Sequence, residues 1–382
     1  MSPLRILPLV AALWCGANFG HAQTWTPTSA PTNNLWNCVV SSADGTKLLA
    51  GTFPGPLFTS TNAGATWSSN STPNGSWYCV ASSADGTKLA DASYASIYTS
   101  TNSGATWTSN DVPVLPWISI ASSADGCKLA AVVNNGRIYT STNSGTIWVQ
   151  TSAPNAYWYS VASSADGNKL VAVDEFAPPS GGPIYTSTNS GVTWMLNSAP
   201  SNYWYSVASS ADGNKLVAVV NGSGIYTTTN SGAAWVLTSA PYGNWYSVAS
   251  SADGSKLAAV MHGVGIYTST NSGSTWTSNN APATSWTSIA SSADGDRLFA
   301  AGGNSIYTAW TAPTPVITIA PTNVSLKLAW IVPSTNFVPQ HSSNLQSWAD
   351  MTNVPVLNLT NLQNEVLLPT PGSNVFYRLK TP

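Results

Sequence analysis

The sequence predicts an all-β chain: a closed ring of seven four-stranded sheets followed by a small β-sandwich. Three observations predict it. The tetrapeptide Ser-Ala-Asp-Gly occurs seven times, with its aspartates at 44, 85, 125, 166, 212, 253 and 294, spaced 41, 40, 41, 46, 41 and 41 residues apart. A period near 40 residues built from short β-type runs is the signature of one four-stranded unit per repeat. Six further stretches repeat in phase, typified by YTSTNSGATW at Tyr98–Trp107. Charged residues make up 7% of the 382, against about 25% in ordinary domains. Small polar residues fill their place between β-branched and aromatic runs, a pattern of strands and tight turns.

The repeat from Trp158 shows the elements in order. WYSVASSADG is strand A entering a turn, because Asp-Gly accepts the positive φ of a tight hairpin. NKLVAV is strand B, without strict alternation, as expected of a strand packed on both faces. PIYTSTN is strand C and VTWMLNSAP is strand D.

Strand D reads Trp-x5-Pro in seven places, from Trp25/Pro31 to Trp276/Pro282. The seventh repeat ends at SIYTAW without its own strand D, and TWTPTSAP near the N-terminus supplies a matching one. The N-terminal strand is therefore expected to complete the last sheet. That removes an exposed edge and makes the ring a seven-bladed β-propeller.

The flanks divide the chain further. Arg5, the apolar run Ile6–Trp14 and Gly20-His21-Ala22 read as a secretory signal over 1–22, with the mature start near Gln23. Cys15 would leave with it; a lipoprotein reading of Cys15 fits poorly with Trp14 before it. No other run approaches the ~20 apolar residues of a membrane span. The propeller occupies 23–310, a Pro-rich linker 311–316 and a β-sandwich 317–382. Alternation in Val324–Trp330 and Val375–Leu379 marks sandwich strands, with Trp330 and Trp348 as expected core.

Composition also bounds function. A net charge of -2 offers no basic patch for nucleic acid. Cys38, Cys79 and Cys127 are neither a disulfide framework nor a metal-spaced set. Cys38 and Cys79 hold the same position in adjacent repeats, which leaves open a bridge or two separate buried thiols. No cofactor or metal is implied, and a monomer is expected.

The stretch Ser-Thr-Asn-Ser-Gly-Ala-Thr-Trp resembles the Asp-box, or bacterial neuraminidase repeat, across most of 24–310. Asn replaces Asp in all six copies, at Asn62, Asn102, Asn143, Asn189, Asn230 and Asn271. Asn still accepts backbone hydrogen bonds within a turn and tolerates left-handed geometry. The resemblance implies a structural C–D turn remote from any active site, with its Trp packed between sheets. The whole unit is similar to propellers as different as sialidases, photosystem assembly factors and sortilin-type receptors, so the fold selects no function. The C-terminal region, in SSNLQSW and FYRL, resembles fibronectin-III-like modules of secreted bacterial proteins.

Each Ser-Ala-Asp-Gly aspartate has Lys or Arg three residues later (Arg297 in the seventh repeat), expected as solvated pairs on one face. The A–B and C–D turns share that face. The D–A and B–C loops share the other, and they differ from blade to blade, which is where recognition concentrates. That face is expected to bind a glycan or a protein segment. Its candidate ligand-binding residues are Trp36, Trp77, Trp117, Trp158, Trp204, Trp245 and Trp286, with Arg137, Asp174, Glu175 and His262. Tyr follows four of these Trp residues, at 78, 159, 205 and 246.

Sialidases hold substrate with three Arg, whereas the propeller region has only Arg137 and Arg297. A glycan-cleaving alternative needs two carboxyls about 5–9.5 Å apart. Asp174, Glu175 and Asp91 are its candidates, although adjacent residues on a strand point opposite ways.

Overall fold

The computed structural model describes residues 24–382 apart from 71, 73–74, 177–180, 311–317, 323–324, 332–337, 345, 354, 359–362, 370–374 and 381–382. The proposed signal segment, the linker and Pro73 lie outside the described residues. All regular structure among the described residues is β, so no helix is long and apolar enough to cross a membrane.

The strands between Thr26 and Trp310 form one antiparallel four-stranded ladder per repeat. In the fourth repeat the strands are Trp158–Ser163, Leu170–Asp174, Ile184–Ser187 and Met195–Leu196, paired in that order. The seventh ladder runs Trp286–Ser291, Arg297–Gly302, Ser305–Trp310, and then Thr26–Pro27 from the start of the chain. Thr26 pairs with Thr308 and Pro27 with Tyr307. The fifth and sixth ladders are further joined where Asn221 pairs with Asn244.

The innermost strands pack in a circle, each against the next and the seventh against the first. The Ser-Ala-Asp-Gly turns close it. Ala43 N–H donates to Ala84 O, Ala84 to Ala124, Ala124 to Ala165, Ala165 to Ala211, Ala211 to Ala252, Ala252 to Ala293, and Ala293 back to Ala43, all at 2.7–2.8 Å. Small side chains suit this position because seven turns converge on one axis. A second tier links the inner strands through hydroxyls. Ser119, Ser160, Ser206, Ser247 and Ser288 each accept the N–H of the next ladder's Val or Ile at 3.1–3.3 Å. Cys38 and Cys79 occupy this serine position in the first two ladders, with Sγ 3.7 and 3.6 Å from Trp77 O and Ile120 O. They are separate free thiols, so the bridge is excluded in this fold.

Each turn is built by its own aspartate. In the fourth, Asp166 Oδ1 accepts from Ser164 Oγ and Asn168 N at 2.6 and 3.0 Å. The lysine does not pair within its own turn, contrary to expectation. Lys128 Nζ reaches the next ladder, at 3.0 Å from Asp166 O and 2.7 Å from Asn168 Oδ1. Lys256 bonds Asp296 in the same way at 2.6 Å. The stem lies across the neighbouring glycine: a Cβ on Gly167, at φ +68°, would sit 2.7 Å from Lys128 Cδ. Residues adjacent in sequence are thus displaced by one repeat in space.

The asparagine boxes are turns, as the resemblance implied. Asn102 Oδ1 accepts from Ser100 Oγ and Thr106 N, and Asn102 Nδ2 donates to Thr106 Oγ1 at 2.9 Å. That last bond uses a donor which ionised Asp lacks. The left-handed residue is Ser103 (φ 58°) rather than Asn102 itself.

Packing between ladders corrects the assignment of the two tryptophan sets. The box tryptophans are only partly buried, except Trp25. The strand-A tryptophans are the core: Trp36 is 2% exposed, Trp77 1%, and Trp117, Trp158, Trp204, Trp245 and Trp286 0%. Each meets the strand-C aromatic of its own ladder edge-on, as Trp158 meets Tyr185 at 5.3 Å. Each except Trp77 also lies about 6 Å from a strand-D tryptophan, as Trp158 does from Trp194 at 6.5 Å. The Trp158 indole N–H donates to Pro154 O at 3.3 Å, and Trp117 and Trp245 use Pro113 and Pro241 likewise. In these three ladders the proline carbonyl of the Trp-x5-Pro unit accepts from the following core indole, whereas Trp77 and Trp204 donate to Gly55 O and Gly182 O of the loops instead.

Beyond Trp310 two further sheets are described. One orders Thr318–Pro321, Ser325–Ile331, Gln363–Pro369 and Val356–Asn358; the other orders Ala349–Asp350, Val338–Ser342 and Phe376–Lys380. Leu328, Trp330, Val366 and Leu368 form their core, with Met351 and Tyr377 packed against it. Trp330 is core as expected, but Trp348 is only partly buried beneath the Arg378 guanidinium at 4.3 Å.

Two outcomes follow. Trp158→Ala removes a fully buried indole and is expected to cost about 3–5 kcal/mol in denaturant unfolding, whereas Val149→Ala on the exposed rim stays within about 0.5 kcal/mol. The second concerns Asp294. Burial first, and Asp296 beside it, push its pKa up to about 7. An unfolded aspartate titrates near ~3.9. The folded chain therefore holds a proton that the unfolded chain releases, and stability falls as pH rises from about 4 through 7. Melting temperature is expected to drop between pH 5 and 8, and Asp294→Asn to flatten that drop.

Candidate functional site

The antiparallel order sends the Ala-Asp-Gly and box turns to one end of the ladders, where they are spent on closing the circle. The opposite end carries the loops that differ.

The sequence candidates fare unequally there. The seven strand-A tryptophans are sealed between ladders and present no face to a ligand. Regular repetition marked a packing position. In four ladders the residue after the tryptophan is a tyrosine, and three of these tyrosines meet one another across successive ladders. Tyr159, Tyr205 and Tyr246 form a continuous arc, with centroids 4.5 and 5.2 Å apart, and His262 stacks on Tyr246 at 4.5 Å. His262 Nδ1 lies 3.3 Å from Trp286 O. Burial, then Tyr205 and Glu175, hold the Tyr159 hydroxyl well above its ordinary pKa. Burial and Glu175 raise the Tyr205 hydroxyl as well, so these two phenols stay protonated and able to donate at physiological pH.

The three carboxylates do not assemble into a catalytic pair. Asp91 lies within strand Leu89–Ser93, not in a loop. It takes the place that Ala holds in the other six ladders, at 50, 131, 172, 218, 259 and 300. It is fully buried, neither carboxylate oxygen has a partner, and burial raises its pKa well above the ordinary range. Asp174 ends strand Leu170–Asp174, is 5% exposed, and accepts from Phe176 N at 3.1 Å. Glu175 turns to the channel, where the Tyr205 hydroxyl bonds it; burial raises the pKa of both acids. The neighbours thus diverge, one into its own loop and one into the tyrosine arc.

Arg137 is well placed. An open groove of about 780 Å³ lies over the third ladder, lined among others by Tyr94, Asn134, Gly136, Arg137, Asn155 and Tyr157. Arg137 Nη1 donates to Ala153 O at 2.8 Å, which fixes the guanidinium. Among the described residues no carboxylate pairs with it. Tyr94 is 61% and Tyr157 39% exposed. Tyr157 continues into a second aromatic line through Phe176 to Tyr203, at 5.6 and 6.3 Å. Tyr94, Asn134, Asn155 and Tyr157 were not foreseen. Their only signal was that these loops differ in sequence from ladder to ladder.

No family model matches the chain, and no curated protein matches it by sequence. Solved structures do. YCF48 from Cyanidioschyzon merolae is 16% identical, with TM-score 0.60, covering 76% of this chain and 98% of its own. A structure of YCF48 bound to D1 peptide is 15% identical, with TM-score 0.59 and coverages of 77% and 98%. The β-propeller domain of Cps50 (Swd1) from Myceliophteria thermophila is 13% identical, with TM-score 0.63, covering 76% and 100%. This chain is a β-propeller. The GH74 enzyme of Niastella koreensis shares the architecture at 20% identity and TM-score 0.57, but the match covers 72% of this propeller chain and only 43% of that enzyme. At these identities the likeness concerns fold alone.

Asp91→Ala restores the residue found in the other six ladders. It is expected to stabilise the protein by about 1–3 kcal/mol at pH 7.5, read by denaturant unfolding, because an unpartnered buried acid is removed. The gain shrinks as pH falls through about 4, because the acid becomes neutral in the unfolded state as well.

Proposed function

We propose that this chain is a secreted, non-catalytic recognition protein, a seven-bladed propeller of Asp-box type over 23–310. In this reading 1–22 is the export signal, 311–316 the linker and 317–382 a fibronectin-III-like sandwich. The loop face binds an extended polymer, a protein segment or a glycan. One observation carries the reading: the groove over the third ladder joins exposed aromatic faces, asparagine amides and a fixed cation at the end of the ring where loops differ. Aromatic faces and amides recognise both peptide backbones and sugar rings, while a pre-fixed guanidinium loses little freedom on binding. The protein-segment reading is supported by the fold shared with YCF48, whose structure is described as bound to D1 peptide.

A hydrolytic reading has less support. Asp91 is sealed in a strand, Asp174 faces its own loop, and Glu175 is left without an opposing acid. The aromatic-rich channel arc serves recognition equally well without chemistry.

The test is a screen of the full chain against peptide libraries and a glycan array, followed by calorimetry. Arg137→Ala and Tyr157→Ala are each expected to weaken the selected ligand about tenfold or more, the scale of losing one charged or aromatic anchor. Thr108→Ala, on the outer rim, leaves affinity unchanged. Ligand affinity indifferent to both groove variants would remove the groove from the proposal.

A further inference from the structure

The outer strands of the seven ladders are not alike. At the two positions after the box tryptophan, the first, second, sixth and seventh ladders carry Ser68-Ser69, Thr108-Ser109, Thr277-Ser278 and Thr26-Pro27. The third, fourth and fifth carry Val149-Gln150, Met195-Leu196 and Val236-Leu237. Ile147 and Val192 extend the apolar set. These side chains are outward: Val149 is 61% exposed, Met195 70%, Leu196 63% and Val236 65%. They lie on three successive ladders whose outer segments are joined where Ser152 Oγ bonds Val192 O and Ser198 Oγ bonds Ala233 O, so the apolar strands follow one another around the rim as a belt. No charged residue lies in 144–154, 189–200 or 230–241.

From this we infer a rim-to-rim dimer: the apolar belt over the third to fifth ladders is the contact between two copies of the chain. The exposures of Ile147, Val149, Val192, Met195, Leu196, Val236 and Leu237 together amount to several hundred Å² of apolar surface, comparable to the ~800 Å² that each partner buries in a stable complex. Its form suits a two-fold axis. The most apolar outer strand, Met195–Leu196, is central, with apolar strands on either side. A two-fold through the fourth ladder sets that strand against its own copy and the third ladder against the fifth. Each of these strands is the last in its ladder, so one edge of its backbone is free to pair. Lys128 and Lys169 reach Ser190 and Ser231 at the turn end of the belt, but both are engaged there with Asn168 and Asn214 of the neighbouring turns, so a lipid surface, which draws on free Lys and Arg beside the apolar face, fits less well. The groove on the loop face is not used, so a dimer would present two recognition sites.

Sedimentation of the full secreted chain at 1–100 µM tests the inference (about the range of dimers this size). Twice the monomer mass is expected, falling to the monomer in Met195→Asp and in Val236→Asp. Ser68→Asp, on the polar arc, should stay dimeric. Melting temperatures within about 2 °C of the parent show that the exposed substitutions leave the fold intact. A monomeric parent at 100 µM overturns the inference, as does a dimer that survives both belt variants. A monomer that floats with phosphatidylcholine vesicles also overturns it and assigns the belt to lipid.

Discussion

Seven alanine amides joined N–H to C=O in an unbroken circle are the interaction on which this molecule depends. Each bond is an ordinary backbone hydrogen bond of modest net worth. Their weight is geometric. Each bond orients one repeat's turn against the next, and the last returns to the first, so the angle between successive ladders must sum to one full turn. That condition fixes how far the inner strands splay. It thereby fixes how the indoles fill the wedges between ladders and which end of the ring remains open. With only 7% charged residues, the chain has little long-range electrostatics to do this work. Backbone bonds, serine hydroxyls and aromatic wedges do it instead.

The same circle explains the division of labour between the two ends. At one end aspartate, glycine and lysine are all engaged in turn geometry or in reaching the neighbouring ladder. Variation there would disturb closure. At the other end the loops only have to return the chain to the next inner strand. They are free to lengthen, as after Asp174, or to shorten, as between Ser223 and Ile225. The proposed recognition groove thus occupies the end on which the ring makes least demand.

Most of the architecture was legible because it was said repeatedly: strand order, hairpin turns and the borrowed N-terminal strand all follow from period and phase. What period cannot report is which of two equally regular positions lies inside. Trp158 and Trp194 recur with the same fidelity, and only packing shows that the first is sealed and the second half-covered. Adjacency misled in another way. Lys128 stands three residues from Asp125, yet its ammonium bonds the turn of the following repeat. Asp91 looked like a loop residue because strand B lacks alternation and so hides its own boundary. The groove residues were obscure because a site assembled from three loops leaves no local motif.

The borrowed outer strand carries a consequence for biogenesis. Thr26 must find Thr308, a partner 282 residues downstream, so the ring cannot shut until nearly the whole repeat region has been synthesised. Until then the opening segment waits unpaired and the incomplete crescent presents raw edges at both tips. A chain assembled in this order is most vulnerable to proteases and to its own neighbours in the interval before its ends meet, and least so afterwards.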